Sequence, residues 1–156
     1  METFLKVSIF HFVIFFISVF GLTWFYEIFQ SELGREIFAG FHFFTIMFLY
    51  VLTGYILAKK NNKELYVSYL LIIMISVAFW LFCLIKSPNT LNYKSNVGGV
   101  WLFYRFYISG IEVPLVFINK YNILMFQSVK RQMFTLLGLS FLPLVFQVIG
   151  TKIKRH

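Results

Sequence analysis

The sequence predicts an all-α integral membrane protein with about four transmembrane helices. Three observations carry that expectation. First, 60% of the 156 residues are hydrophobic and only 13% are charged, with a mean hydropathy of +0.80. That is about half the charge of a soluble domain, and one soluble core of this size could not hide so much apolar surface. Second, apolar runs of about 20 residues recur, the length that crosses a hydrocarbon core. Third, the basic residues behind the net charge of +8 lie in short clusters between and after those runs. Membrane-flanking charges are distributed in this way, where they set orientation and meet anionic lipid. The same distribution argues against nucleic acid as a partner, since such binders carry a basic stripe or patch on one face.

The first expected span covers residues 7–29, "VSIFHFVIFFISVFGLTWFYEIF". It is too long for a signal peptide, and no small-x-small cleavage site follows it, so it reads as an uncleaved helix. Trp24 and Tyr26 stand near its far end, where amphipathic rings prefer the headgroup level. "QSELGRE", residues 30–36, is polar and holds Gly34, which suits a tight helical hairpin. The second span covers 37–58 and ends at "KKNNKE". The third covers 65–85. "KSPNTLNYKSNVGG" follows as a loop marked by Pro, Asn, Ser and Gly. The last span covers 133–151, with Pro143 as a potential kink, and the chain closes on "KIKRH". No internal repeat is visible, and no two glycines lie four apart, so the glycine dimerisation motif is absent.

"KKNNKE" sets the orientation, because short basic loops stay cytoplasmic. Four spans then put both termini inside a bacterial-type cell membrane and leave 86–131 outside. Raw charge does not decide between four spans and five. With four spans the 14 Lys and Arg divide evenly between the sides. Insertion energy weighs more. "VWLFYRFYISGIEVPLVFI", residues 100–118, gains roughly −3 to −7 kcal/mol from its Val, Leu, Ile and Phe. It loses roughly 5 to 7 kcal/mol to Arg105 and Glu112 if these lie centrally. The sum is near zero or unfavourable. The expectation is therefore an extracytoplasmic, membrane-hugging aromatic region before the last helix, either a small β meander or an interfacial helix. The alternative is a fifth span.

Ionisable groups near a membrane are expensive, and so they are candidate functional residues. On this topology the outer half gathers Glu27, Arg35, Glu36, His42, Arg105 and Glu112 as candidate ligand- or partner-binding residues. Glu27 and His42 could meet across the first hairpin, where a carboxylate beside an imidazole can shuttle protons or bind a cation. The plainer reading of His42 is a helix-packing hydrogen bond. His11, in the inner half of the first span, reads as a hydrogen-bonded interior histidine. The three histidines show no metal-ligand spacing, so no metal site is expected, and the aromatic excess argues for no haem or quinone and hence no cofactor. Cys83 is the single cysteine and reads as a small apolar residue. No catalytic motif is present: no G-x-S-x-G, H-E-x-x-H, P-loop or dinucleotide loop. The sequence thus points to a non-catalytic accessory, sensor or immunity-type membrane protein that binds a partner through 86–131. Its partners would be the bilayer, anionic lipid at the cytoplasmic face, and a membrane or extracytoplasmic protein. A transporter or channel subunit using the outer charged residues is the alternative.

Overall fold

The structure, a computed structural model, describes residues 2–26, 28, 31–59, 62–86, 101, 104, 107, 108, 111 and 129–154. Its helices are α1 (Glu2–Tyr26), α2 (Glu32–Leu57), α3 (Lys63–Lys86), α4 (Val129–Leu139) and α5 (Leu142–Ile153). There is no strand among the described residues. Among the described residues, four stretches are long and apolar enough to cross a membrane: Glu2–Gly21, Leu33–Leu57, Lys63–Lys86 and Met133–Ile153. Only 22% to 39% of each apolar window is buried inside the bundle, so most of the apolar surface faces outward. Phe12, Phe16 and Phe20 on α1 and Phe41, Phe44 and Phe48 on α2 form two such outward rows. In water that surface would be an aggregation hazard; against lipid it is solvated. The Phe- and Ile-rich runs are modest helix formers by propensity. They are helical here because a helix satisfies every backbone N–H and C=O within its own segment, which hydrocarbon demands.

Local chemistry fixes the ends. α2 begins inside the polar connector expected over 30–36. The Ser31 side chain accepts a hydrogen bond from the Gly34 N–H at 3.1 Å, and its carbonyl takes the Arg35 N–H at 3.1 Å. That is an N-cap. Between α2 and α3, Asn62 turns the chain. Its side-chain oxygen accepts from the Lys59 N–H at 2.7 Å and its carbonyl from the Tyr66 N–H at 2.9 Å. Lys154 closes α2 from the other end of the sequence, donating to the Ala58 carbonyl at 2.8 Å. The last span is interrupted at Ser140 and Phe141. Pro143 supplies no N–H for the Leu139 carbonyl, so the helical ladder cannot run through. The Ser140 N–H instead reaches back to the Leu136 and Leu137 carbonyls, and its hydroxyl donates to Leu137 at 2.7 Å.

The two ends of the bundle are distinct. Thr3 donates to Glu64 at 3.1 Å, and Lys154 reaches Ala58, so both termini share one end with the turn after α2. Lys6, Lys59, Lys63, Lys152 and Lys154 belong to that basic end. At the opposite end the Trp80 indole N–H donates to the Met133 carbonyl at 2.8 Å and ties α3 to α4. α2 and α5 run parallel and make the closest helix pair. Gly54 faces the Gln147 backbone and Gly150 faces the backbone of Val51 and Tyr55. The Thr151 hydroxyl points at the Gln147 and Gly54 carbonyls, at 2.9 and 3.3 Å. No sequence motif announced this contact, because its glycines lie on two different helices.

Trp101, Tyr104, Tyr107, Ile108 and Ile111 are helical. They descend through the bundle. Trp101 packs edge-on against Trp80, Tyr104 against Phe79, and Tyr107 against His11. Ile111 clusters with Ile14, Ile46, Met47 and Tyr50. The chain therefore starts at the level of Trp80, reaches mid-bundle at Ile111, and is back at the level of Trp80 by Met133. Of the rest of the expected outer region, Lys86 ends α3 and residues 129–131 open α4, while 87–100, 102, 103, 105, 106, 109, 110 and 112–128 lie outside the described residues.

Candidate functional site

A cavity of about 20 Å³ is lined by residues of all the long helices together with Tyr107, Ile108 and Ile111. α1 contributes His11 and Phe15, α2 Tyr50, α3 Tyr69 and Ile73, and α5 Pro143 and Gln147. Tyr107, Ile108 and Ile111 form its roof, and Ser140 enters from the break between α4 and α5. Most of this lining is apolar, yet six polar side chains converge here: His11, Tyr50, Tyr69, Tyr107, Ser140 and Gln147.

Each is held by its own element. The Tyr50 hydroxyl lies 3.0 Å from His11 Nδ1, which joins α2 to α1. The His11 ring also rests against Tyr107, with centroids 5.7 Å apart, so both faces of the site fix its plane. Tyr69 reaches the Thr151 hydroxyl at 3.4 Å, joining α3 to α5. Ser140 is turned back on Leu137 by the helix break. Two nitrogen atoms of this lining are buried without a hydrogen-bond partner: His11 Nε2 and Gln147 Nε2. Gln147 is 3% exposed. Unpaired polar atoms in an apolar interior cost about 1–3 kcal/mol each, so natural interiors rarely leave them bare. Among the described residues that line the cavity there is no carboxylate, and no cluster of three metal-ligating side chains occurs among the described residues at all.

The outer candidates are arranged differently. Arg35 and Glu36 stand half-buried in the first turns of α2. His42 is buried, and its Nε2–H donates to the Ser18 carbonyl at 3.1 Å. Gly21 makes room for that imidazole, since a Cβ there would stand 3.1 Å from His42 Cε1. His42 therefore packs α2 onto α1. Glu27, Arg105 and Glu112 lie outside the described residues, as does any contact they make. Trp101 and Tyr104, two aromatics expected on the outer surface, are buried inside the bundle beside Trp80 and Cys83 and are unavailable to a partner in this arrangement.

The sequence reading passed over Tyr50, Tyr69, Tyr107, Ser140 and Gln147. One signal for this site was present. Gln147 is the lone amide in the apolar run after Met133, and an unexplained polar side chain within a span is a marker of function. The tyrosines gave no such signal, because interfacial belts account for tyrosine equally well.

No known protein family, curated protein or solved structure matches this chain.

Proposed function

We propose that this chain is a non-catalytic, multi-pass protein of a bacterial-type cytoplasmic membrane, of the transport class, and that its polar centre relays protons. The observation that supports this reading is the convergence of polar side chains from every long helix on one cavity, in a bundle whose outside is apolar. Imidazole and phenol groups can accept and pass a proton along hydrogen bonds. The described lining offers a metal cation no carboxylate, which makes a proton the better fit than a hydrated metal ion. Tyr107, Ile108 and Ile111 line the cavity beside His11 and Tyr50, so a relay through it would run along them. The five basic-end lysines favour a cytoplasmic location for that end and contact with anionic lipid there.

The test is proton flux into liposomes that hold the purified full chain, driven by a potassium gradient with valinomycin and read with an internal pH dye. Flux above that of protein-free vesicles is expected, and His11→Phe should reduce it at least tenfold. Wild-type vesicles as tight to protons as empty ones would sink the reading. The partner-binding alternative then takes its place, resting on the region 86–131 with Arg105, Glu112 and the nearby aromatics. It requires that replacing them release a protein that co-purifies with the wild type.

A further inference from the structure

We infer that the central cavity is a built site for one water molecule, hydrogen-bonded to His11 Nε2 and to the Gln147 side-chain amide. Three observations on independent atoms carry it. Gln147 is 97% buried by accessible surface, being 3% exposed, and its Nε2 has no partner. His11 Nε2 is buried and equally without one, while the other ring nitrogen is held by the Tyr50 hydroxyl. Both residues line the same cavity, and its volume of about 20 Å³ exceeds the roughly 10–15 Å³ that one water needs.

The chemistry selects water over other occupants. The amide nitrogen of Gln147 can only donate, so the occupant must accept a hydrogen bond. His11 Nε2 donates if Tyr50 donates to Nδ1, and accepts if Nδ1 carries the proton. Water fits both cases, because it accepts from Gln147 and can either accept from or donate to the imidazole. An apolar occupant would leave both nitrogens bare. The site stands independently of proton relay, because the two nitrogens need a partner whatever the chain carries. Its effect on the fold would be to join α1 to α5 through His11 and Gln147.

The experiment is water-edited solid-state NMR on the full chain in lipid, with ¹⁵N-labelled histidine. At short mixing times, magnetisation from water should reach the His11 ring nitrogens several-fold faster than those of His42, whose Nε2–H is committed to the Ser18 carbonyl. His156→Asn removes the third histidine signal, and His11→Phe assigns the remaining pair. Gln147→Leu should slow transfer to His11 to the rate of His42, while the His42 signal stays unmoved and so reports an intact α1–α2 contact. Equal transfer to His11 and His42 in the wild type would overturn the inference, with no variant needed. Unchanged fast transfer to His11 in Gln147→Leu would overturn it as well. Proton flux is read separately in liposomes, so a bound water without flux, or flux without a bound water, tells the two proposals apart.

Discussion

Replacing Gly54 with alanine tests the closest contact in the bundle. A Cβ at Gly54 would stand 2.7 Å from the Gln147 carbonyl carbon and 2.9 Å from its Cα, and would press harder still on the carbonyl oxygen. Carbon atoms in good contact sit about 3.5–4.0 Å apart. α2 and α5 would therefore have to separate by about 1 Å along this line. Neither neighbour can rotate away, because both are backbone. Overpacking of this kind costs about 1–3 kcal/mol and occasionally more, and rigid backbone on both sides argues for the upper end. Separation also lengthens the Thr151 hydroxyl contact to the Gly54 carbonyl, already 3.3 Å. Against this, alanine gains up to about 1 kcal/mol of helix propensity over glycine. The net expectation is a loss of about 2–3 kcal/mol, which lowers the folded-to-unfolded ratio roughly 30- to 160-fold. Gly40→Ala and Gly138→Ala are the internal controls, since a Cβ at either meets nothing within 4 Å. Both should be neutral or more stable by up to about 1 kcal/mol. The assay is reversible unfolding of the full chain in bicelles by steric trapping, with all three variants side by side. If Gly54→Ala proves as stable as Gly40→Ala, the parallel α2–α5 contact is wrong, and the placement of Gln147 in the central cavity goes with it. Gly150→Ala should repeat the loss, because its Cβ would lie 2.8 Å from the Val51 carbonyl carbon.

Three further expectations follow from single contacts. Tyr50→Phe removes the hydroxyl 3.0 Å from His11 Nδ1 and leaves that nitrogen buried beside an apolar ring; the same unfolding assay should register a loss of about 1–3 kcal/mol, and no loss would mean that the pair is not formed. Trp80→Phe deletes the indole N–H that reaches the Met133 carbonyl at 2.8 Å. It should cost about 0.5–1.5 kcal/mol for the bond, more with the lost ring area, and amide exchange in α4 should rise before that in α2. On a Cys83→Ser background, single cysteines at Lys59 and Lys152 should react with an impermeant maleimide from one face of the membrane and a cysteine at Ser31 from the other, because the first two share the basic end. Labelling of Lys59 and Lys152 from opposite faces would break the four-crossing path.

The sequence by itself determined the class of molecule, all-helical among the described residues with four helices long and apolar enough to cross a membrane. Hydrophobic runs of membrane length leave the backbone no alternative to the helix, because no solvent is present to satisfy N–H and C=O groups. It also supplied punctuation that could be read locally: a polar connector over 30–36, a polar turn over 59–64, and Pro143 as a potential kink in the last span. Which side of each helix faces inward was not legible. In water an apolar stripe marks the buried face, but here the outward faces are as apolar as the inward ones, so periodicity carries little information. Inward residues are instead marked by small size or polarity, and a lone glycine, serine or glutamine reveals its partner only when a second helix is laid beside it. Gly54 against Gln147, and His42 against Gly21, are contacts of that kind. The 101–111 stretch shows the same limit. A hydropathy sum near zero cannot separate a segment lying on the membrane from one lodged among other helices, because in the second case Trp101 and Tyr104 answer to Trp80, Phe79 and Ser76 rather than to lipid. Tertiary structure alone decided that His11, Tyr50 and Gln147, 136 positions apart from first to last, surround one cavity. A polar group in a span must be paid for by a partner, and only the assembled bundle determines which partner is within reach.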